Sequence, residues 1–201
     1  MEGNELKEVL KKYTKPYILE LGCGSNKRLE GSVGIDQLEH PTVDLKGDII
    51  EVLSVFDAES VQKVHSHHVL EHIQDLDALF EQIDRVLIRG GIIETVVPHF
   101  SNSYFYSDHT HKRAFGLYSF NNFFQSNYFT RQVGQYGNTY SYSIVDVKLI
   151  FKSARPFYFR YLIKKILSVW VNMSTWTKEF YEENLIYILP CYEVKFILKK
   201  K

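Results

Sequence analysis

The segment Ile92-Ile93-Glu94-Thr95-Val96-Val97 is a nearly unbroken, β-branched run that Pro98 closes. A run of this kind suits a strand covered on both faces, the usual condition of a parallel sheet. Tyr17 to Leu21 is another apolar run of strand length, ended by Gly22-Cys23-Gly24. Shorter strands are predicted at Val33 to Asp36, Val43 to Lys46 and Val61 to Ser66, with a short helix over 49–58. Residues 4–14 read as a helix with Leu6, Val9 and Leu10 on one side, stopping before Pro16 because the residue preceding a proline avoids helical angles. From Asp75 onward, Leu76, Leu79, Phe80, Ile83, Val86 and Leu87 recur at three- and four-residue spacing, which gives a helix with one apolar face. Gly90-Gly91 is expected to stop it, since glycine accepts the left-handed cap.

Strands alternating with helices through short connections imply an α/β fold, a mostly parallel sheet with helices on both faces. After position 98 the pattern becomes irregular. Strand character resumes at Ser141 to Lys152, Phe157 to Val171 reads as a helix, and Cys191 to Leu198 alternates as a last strand. These closing elements fit an antiparallel C-terminal edge strand, preceded by an α-helical and aromatic insertion after the fifth strand. The 201 residues suffice for one well-buried domain over 1–201, and no repeat or linker divides them.

The 24 basic and 24 acidic side chains cancel, so no global field draws the chain to nucleic acid. Neither a signal peptide nor an apolar run long enough to span a bilayer is visible, and Cys23 and Cys191 lie far apart, so a reducing cytoplasm fits best.

Ligands of an open parallel sheet bind beyond the carboxyl ends of its strands, so the turn after the first strand is where a cofactor is expected. Gly22 and Gly24 let the chain turn sharply and bring backbone amides near a ligand. Asp36, ending the second strand, is placed to accept both hydroxyls of a ribose, and Asp48, ending the third, to read the amino group of a purine. Lys27 stands where a dinucleotide fingerprint has its third glycine, and the path to Val33 is short, so a pyrophosphate lacks its helix N-terminus. A sulfonium cofactor has no phosphates to hold. Glu20, two residues before the first glycine, suits a cofactor bearing an amino group and a positive sulfur.

Leu19-Glu-Leu-Gly-Cys-Gly-Ser25, Gly34-Ile-Asp36, Gly47-Asp48, Val69-Leu-Glu-His-Ile73, Arg85-Val-Leu87 with Gly90-Gly91, and Val97-Pro98 resemble, in order, the seven-stranded class I methyltransferases. The short link between the first two strands, and Ser107-Asp-His-Thr-His-Lys-Arg-Ala-Phe115 followed by Ser119-Phe120, resemble small bacterial and archaeal enzymes often associated with cell-surface glycans or secondary metabolites. The resemblance implies S-adenosylmethionine as cofactor. It assigns cofactor binding to Glu20, Gly22, Cys23, Gly24, Asp36 and Asp48, with His67 and His68 near the adenosine or methionine portions. Asn26 replaces the family's usual third small residue. Cys23 reads as a small residue in a tight turn rather than a nucleophile.

Methyl transfer from a sulfonium is an in-line displacement with an activated leaving group, so the protein aligns the acceptor and, for a hydroxyl, removes a proton. Histidine is the natural base near neutral pH. His65, His67, His68 and His72 follow the fourth strand; His99, His109 and His111 follow the fifth. His111 is the first choice as base or acceptor-orienting residue, with Asp108 to orient it and His99 and His109 behind it. Equally, Asp108 caps a turn and His111 is a structural hydrogen bonder. No metal is expected, because paired zinc-type spacing and an HExxH helix are both missing. Glu71-His72 reads as the start of a helix whose polar side faces the cofactor pocket.

Residues 100–142, rich in Tyr and Phe, are expected to form a lid over a small acceptor, although any single ring among them reads more simply as core. Lys112 and Arg113 suit a phosphate on the acceptor, or are solvated surface. The helix over Phe157 to Trp170 is aromatic and basic; core or dimer packing is preferred over lying on a membrane surface. The expected function is methyl transfer to a sugar or a nucleotide-linked or phosphorylated metabolite. The alternatives are a cofactor-binding scaffold or sensor without catalysis, and a nicotinamide oxidoreductase, which Lys27 disfavours.

Overall fold

The computed structural model describes residues 3–124, 126–132, 134, 140–153 and 156–201. Its strands are β1 (Tyr17–Leu21), β2 (Val33–Asp36), β3 (Leu45–Lys46), β4 (Val61–His67), β5 (Leu87–Pro98), β6 (Tyr142–Ile150) and β7 (Glu193–Lys200). The helices are α1 (Gly3–Leu10), α2 (Ile49–Ser54), α3 (Leu76–Val86), α4 (Tyr158–Val171) and α5 (Thr175–Asn184). All seven strands join in one sheet of order β3-β2-β1-β4-β5-β7-β6. β1 to β5 run parallel. The C-terminal strand β7 is antiparallel to β5 and to β6, which lies outside it. The chain leaves β1 toward β2 and β3 and returns on the other side as β4, so strand order reverses between β1 and β4 and opens a crevice beyond their carboxyl ends.

Burial explains the regular elements. α3 starts on Asp75, whose side chain accepts from the Ala78 amide at 2.9 Å, and buries Leu76, Leu79, Phe80, Ile83 and Val86 on one face. It stops at Val86 rather than at the glycines. Leu87 is fully buried and already extended as the first residue of β5, and Gly90-Gly91 fall inside that strand. There the pairing slips from Val61–Leu87 to Lys63–Ile92, and Gly90 takes φ 77°, which a side chain resists. The glycines serve a bulge, not a helix cap. α1 and α2 are shorter than their apolar patterns suggest, because the chain turns at residues 11–12 and again at residue 55.

α5 has no counterpart in the sequence reading. Ser174 accepts from the Thr177 amide at 3.1 Å and the Thr177 hydroxyl accepts from the Ser174 amide at 3.0 Å, a capping box with threonine in the place of the usual glutamate. Between β5 and β6 the described residues form 3-10 turns at Phe105–Ser107 and Ser119–Asn122 rather than an α-helix. Phe115, Phe120, Phe124 and Phe129 are buried in the core, where Phe120 meets Phe196 and Phe80, while Tyr104 and Tyr106 are exposed. Part of the expected lid, residues 125, 133 and 135–139, lies outside the described residues. Core packing of α4 is limited to Lys164, Leu167 and Val171; Tyr158, Phe159, Leu162, Ile166 and Val169 are exposed, which corrects a core reading of that helix. Among the described residues no helix is long and apolar enough to cross a membrane.

Candidate active site

The turn after β1 is built by its own backbone. Gly22 has φ 62°, and a Cβ there would stand 2.3 Å from Val69 Cγ2, so both conformation and space exclude a side chain. The Gly24 amide donates to Asp36 Oδ2 at 2.8 Å, and the Thr42 hydroxyl donates to the Gly24 carbonyl at 2.5 Å. Asp36 Oδ1 accepts from the Leu38 amide at 2.9 Å. Glu20 is buried, and its carboxylate accepts from the Arg28 amide at 2.8 and 3.0 Å and from the Leu29 amide at 2.9 Å. It thereby ties down the loop between β1 and β2. Asp48 caps α2, accepting from the Ile50 and Glu51 amides at 2.9 and 3.3 Å. Lys27 pairs with Asp44, which also accepts from the Gly34 amide at 2.7 Å, a brace that sequence reading did not anticipate. Cys23 is buried, which pushes its thiol up to about 11, consistent with an inert turn residue. A cleft of about 390 Å³ opens between these turns, lined by Gly22, Asp36, Gln37, Leu38 and Ile49 on one side and by His68, Val69, His72 and Ile73 on the other.

Past β4 the chain is rich in titratable groups. The His67 and His68 rings stack at 4.4 Å, and His68 has φ 57°. Burial, His68 and Arg28 together bring His67 down to about 4. His68 Nε2 meets Glu193 Oε1 at 3.0 Å, and Lys152 reaches the same carboxylate at 2.8 Å. Leu70–His72 is a separate 3-10 turn; the helix expected at Glu71-His72 begins only at Leu76. That turn points Glu71 inward. Its side chain is 0% exposed, and neither carboxylate oxygen has a hydrogen-bond partner among the described residues. Burial pushes its carboxyl up to about 7.

His111 faces this carboxylate from the segment after β5. Its Nδ1–H donates to the Phe105 carbonyl at 2.8 Å, its ring stacks on Phe105, and its Nε2 lies 3.7 Å from Asp108 Oδ2. The Thr110 hydroxyl donates to Asp108 Oδ1 at 2.6 Å and so takes the Nδ1–H of His72 at 2.9 Å. The His72 and His111 rings are 4.8 Å apart.

Residues 34–95 match the model of a methyltransferase-domain family. A search of curated proteins gives no match. Among solved structures, a SAM-dependent methyltransferase from Archaeoglobus fulgidus is 18% identical with a TM-score of 0.57, over 99% of this chain and 95% of the other. A Bacillus halodurans C-125 protein named as a methyltransferase is 14% identical with a TM-score of 0.55, over 98% and 99% of the two chains. Geranyl diphosphate C-methyltransferase from Streptomyces coelicolor A3(2) is 13% identical with a TM-score of 0.51, over 99% and 78%. Residues 34–95 are thus similar to a methyltransferase domain, and the chain as a whole shares the fold of these solved structures.

Within this fold the three histidines after β5 have different surroundings. His99 is 0% exposed, receives the Ser101 amide on Nδ1 at 3.1 Å and donates from Nε2 to Glu182 at 3.0 Å, while Glu182 also accepts from the Leu117 amide. Closed off and bonded at both nitrogens, it joins α5 to the β5 exit and has no access to a substrate. His109 is exposed, and Asp108 receives both the amide and the hydroxyl of Thr110, as a turn cap does. His111 alone of the three adjoins His72 on the cleft wall. Arg113 donates to the Gln74 carbonyl at 2.6 Å, and Lys112 is exposed. Glu71 is the residue that sequence reasoning undervalued. Its signal was a lone acid next to a histidine-rich strand end, and only the fold shows that among the described residues no cation answers it.

Proposed function

We propose that the domain binds S-adenosylmethionine in the cleft between the β1, β2 and β4 exits and transfers its methyl group to a small acceptor, a sugar or a phosphorylated or nucleotide-linked metabolite. The carrying observation is the cleft itself, which brings Gly22, Asp36 and Ile49 together with His68 and Val69. In this reading Asp36 takes the ribose, Gly22 and Gly24 let the methionine end approach the backbone, and Glu20 acts by holding the loop. Asp48 fixes α2 beneath the adenine, and His67 and His68 wall the far side. His111 receives the acceptor's proton: its Nδ1–H is held by Phe105, which leaves Nε2 as the basic nitrogen. Lys152, Arg160 and Lys164 line a second cleft of about 440 Å³, and three cations there favour an anionic acceptor. Cys23 and Cys191 are free and buried, in keeping with a reducing cytoplasm.

Calorimetric titration tests the cofactor claim: S-adenosylmethionine or its demethylated product is expected to bind at micromolar level, and Asp36→Ala to weaken it at least tenfold. No binding of either compound overturns it. With an acceptor in hand, His111→Ala is expected to lower kcat by roughly 10²-fold or more. Cofactor binding with no transfer to any acceptor would favour the scaffold reading.

A further inference from the structure

Glu71, His72 and His111 come from two separate segments, yet one ligand atom of each lies within 4.8 Å of the others. The carboxylate among them is fully buried and takes no hydrogen bond from any described residue. A buried, unpaired carboxylate is costly unless a positive charge answers it. The titratable groups that bear on it include His68, His111 and Asp108, with His72 beside it, and none of these is a fixed cation. Both imidazoles are prepared as ligands. The Nδ1–H of His111 is held by the Phe105 carbonyl, and that of His72 by the Thr110 hydroxyl, itself fixed by Asp108. Each ring therefore keeps its Nε2 lone pair for another partner, the arrangement by which outer hydrogen bonds orient histidine ligands around a metal.

We propose that Glu71, His72 and His111 form a binding site for a divalent transition-metal cation, in the zinc, iron or cobalt class. Two imidazole nitrogens and one carboxylate select these ions over magnesium or calcium, which prefer all-oxygen sets. Metal–ligand bonds of about 2.0–2.2 Å require the three side chains to close in by roughly 1 Å. Three protein ligands leave at least one position open. His72 also lines the cleft proposed for the cofactor, so the site adjoins the space where the methyl group would be held. A metal there would bind an acceptor oxygen and make its proton easier to remove, in place of proton transfer to His111 Nε2; this role rests on the methyl-transfer reading, whereas cation binding does not. The second group of this kind, His67, His68 and Glu193, is already answered: Lys152 pairs with Glu193, and Arg28 donates to His67.

The full chain, stripped with a chelator and dialysed, is titrated with Co²⁺ and followed by visible absorption, with no cofactor or acceptor present. Saturable binding of one equivalent is expected, and Glu71→Gln and His111→Ala are each expected to weaken it by about 10–100-fold. Circular dichroism and thermal unfolding of the same variants report their folding, while S-adenosylmethionine binding, measured separately, bears on the methyl-transfer reading alone. If the wild-type chain shows no saturable Co²⁺ binding, or if both variants bind as tightly as wild type, the site does not exist.

Discussion

Glu20 within β1, Asp36 at the end of β2 and Asp48 after β3 share the carboxyl-end region of the sheet with Glu71, which lies beyond β4, but in opposite chemical states. Glu20, Asp36 and Asp48 each accept backbone amides, from Arg28 and Leu29, from Gly24 and Leu38, and from Ile50 and Glu51. Glu71 accepts none among the described residues. The first three are part of the scaffold, since N–H donors aimed at a carboxylate stabilise its charge wherever the chain turns. The fourth is held without compensation by a 3-10 turn and the Lys112 amide on its own carbonyl, 2.6 Å away. In the proposed function, the contrast separates a cofactor side whose polar groups complete one another from an acceptor side that keeps a reactive group unspent.

The comparison breaks most visibly at Glu20. Glu20→Ala leaves the Arg28 and Leu29 amides without their acceptor behind a buried wall, and is expected to cost about 3 kcal/mol. Urea unfolding measures the loss, and S-adenosylmethionine affinity should fall with it because the loop bearing Gly24 is released. A variant as stable as wild type would show that the amides find water and that Glu20 is not part of the frame.

Lysines offer a second way to answer a carboxylate, and Glu94 uses it. Burial raises its carboxyl, but the hydrogen-bonded ammonium groups of Lys195 and Lys63 outweigh burial and bring it down to about 2. The folded group thus titrates below its ordinary value of 4.5, so its stabilisation is present above that pH and is lost as pH falls toward 2. Glu94→Gln is expected to cost about 2 kcal/mol at neutral pH and to flatten the stability profile between pH 5 and pH 2. Unchanged acid dependence in the variant would mean the ion pairs on the sheet surface are solvent-screened.

The strands β1 to β5 and the turn after β1 were legible in the sequence because strands and glycine turns are local: Tyr17 to Asp36 and Val61 to Pro98 announce themselves by β-branched runs and their stops. The surroundings of Glu71 and the chain after β5 were not. Gly90-Gly91 gives one local signal for two outcomes, a helix cap or a strand bulge, and the burial of Leu87 decides between them. α5 was missed because Thr177, not Glu or Gln, closes its capping box. His99 reads as a free base until Glu182, 83 residues later, occupies it. The isolation of Glu71 is a property of everything packed around it, and no spacing encodes it.

A cap should sit between these extremes. Asp48→Ala removes two amide contacts at the start of a six-residue helix and is expected to cost about 1 kcal/mol, with Asp48→Asn costing less because asparagine also caps. Chemical unfolding of the pair separates capping from charge.

Glu71 should give the opposite sign. In the metal-free chain, replacing an unanswered buried carboxylate by an apolar side chain of similar length removes a desolvation penalty without removing a hydrogen bond. Glu71→Met is therefore expected to stabilise by about 1 kcal/mol, whereas Glu20→Met should destabilise. Thermal unfolding of both variants under chelation reads the difference directly. If Glu71→Met is destabilised like Glu20→Met, the carboxylate after β4 has a partner in solution, and the division between a completed cofactor side and an unspent acceptor side fails.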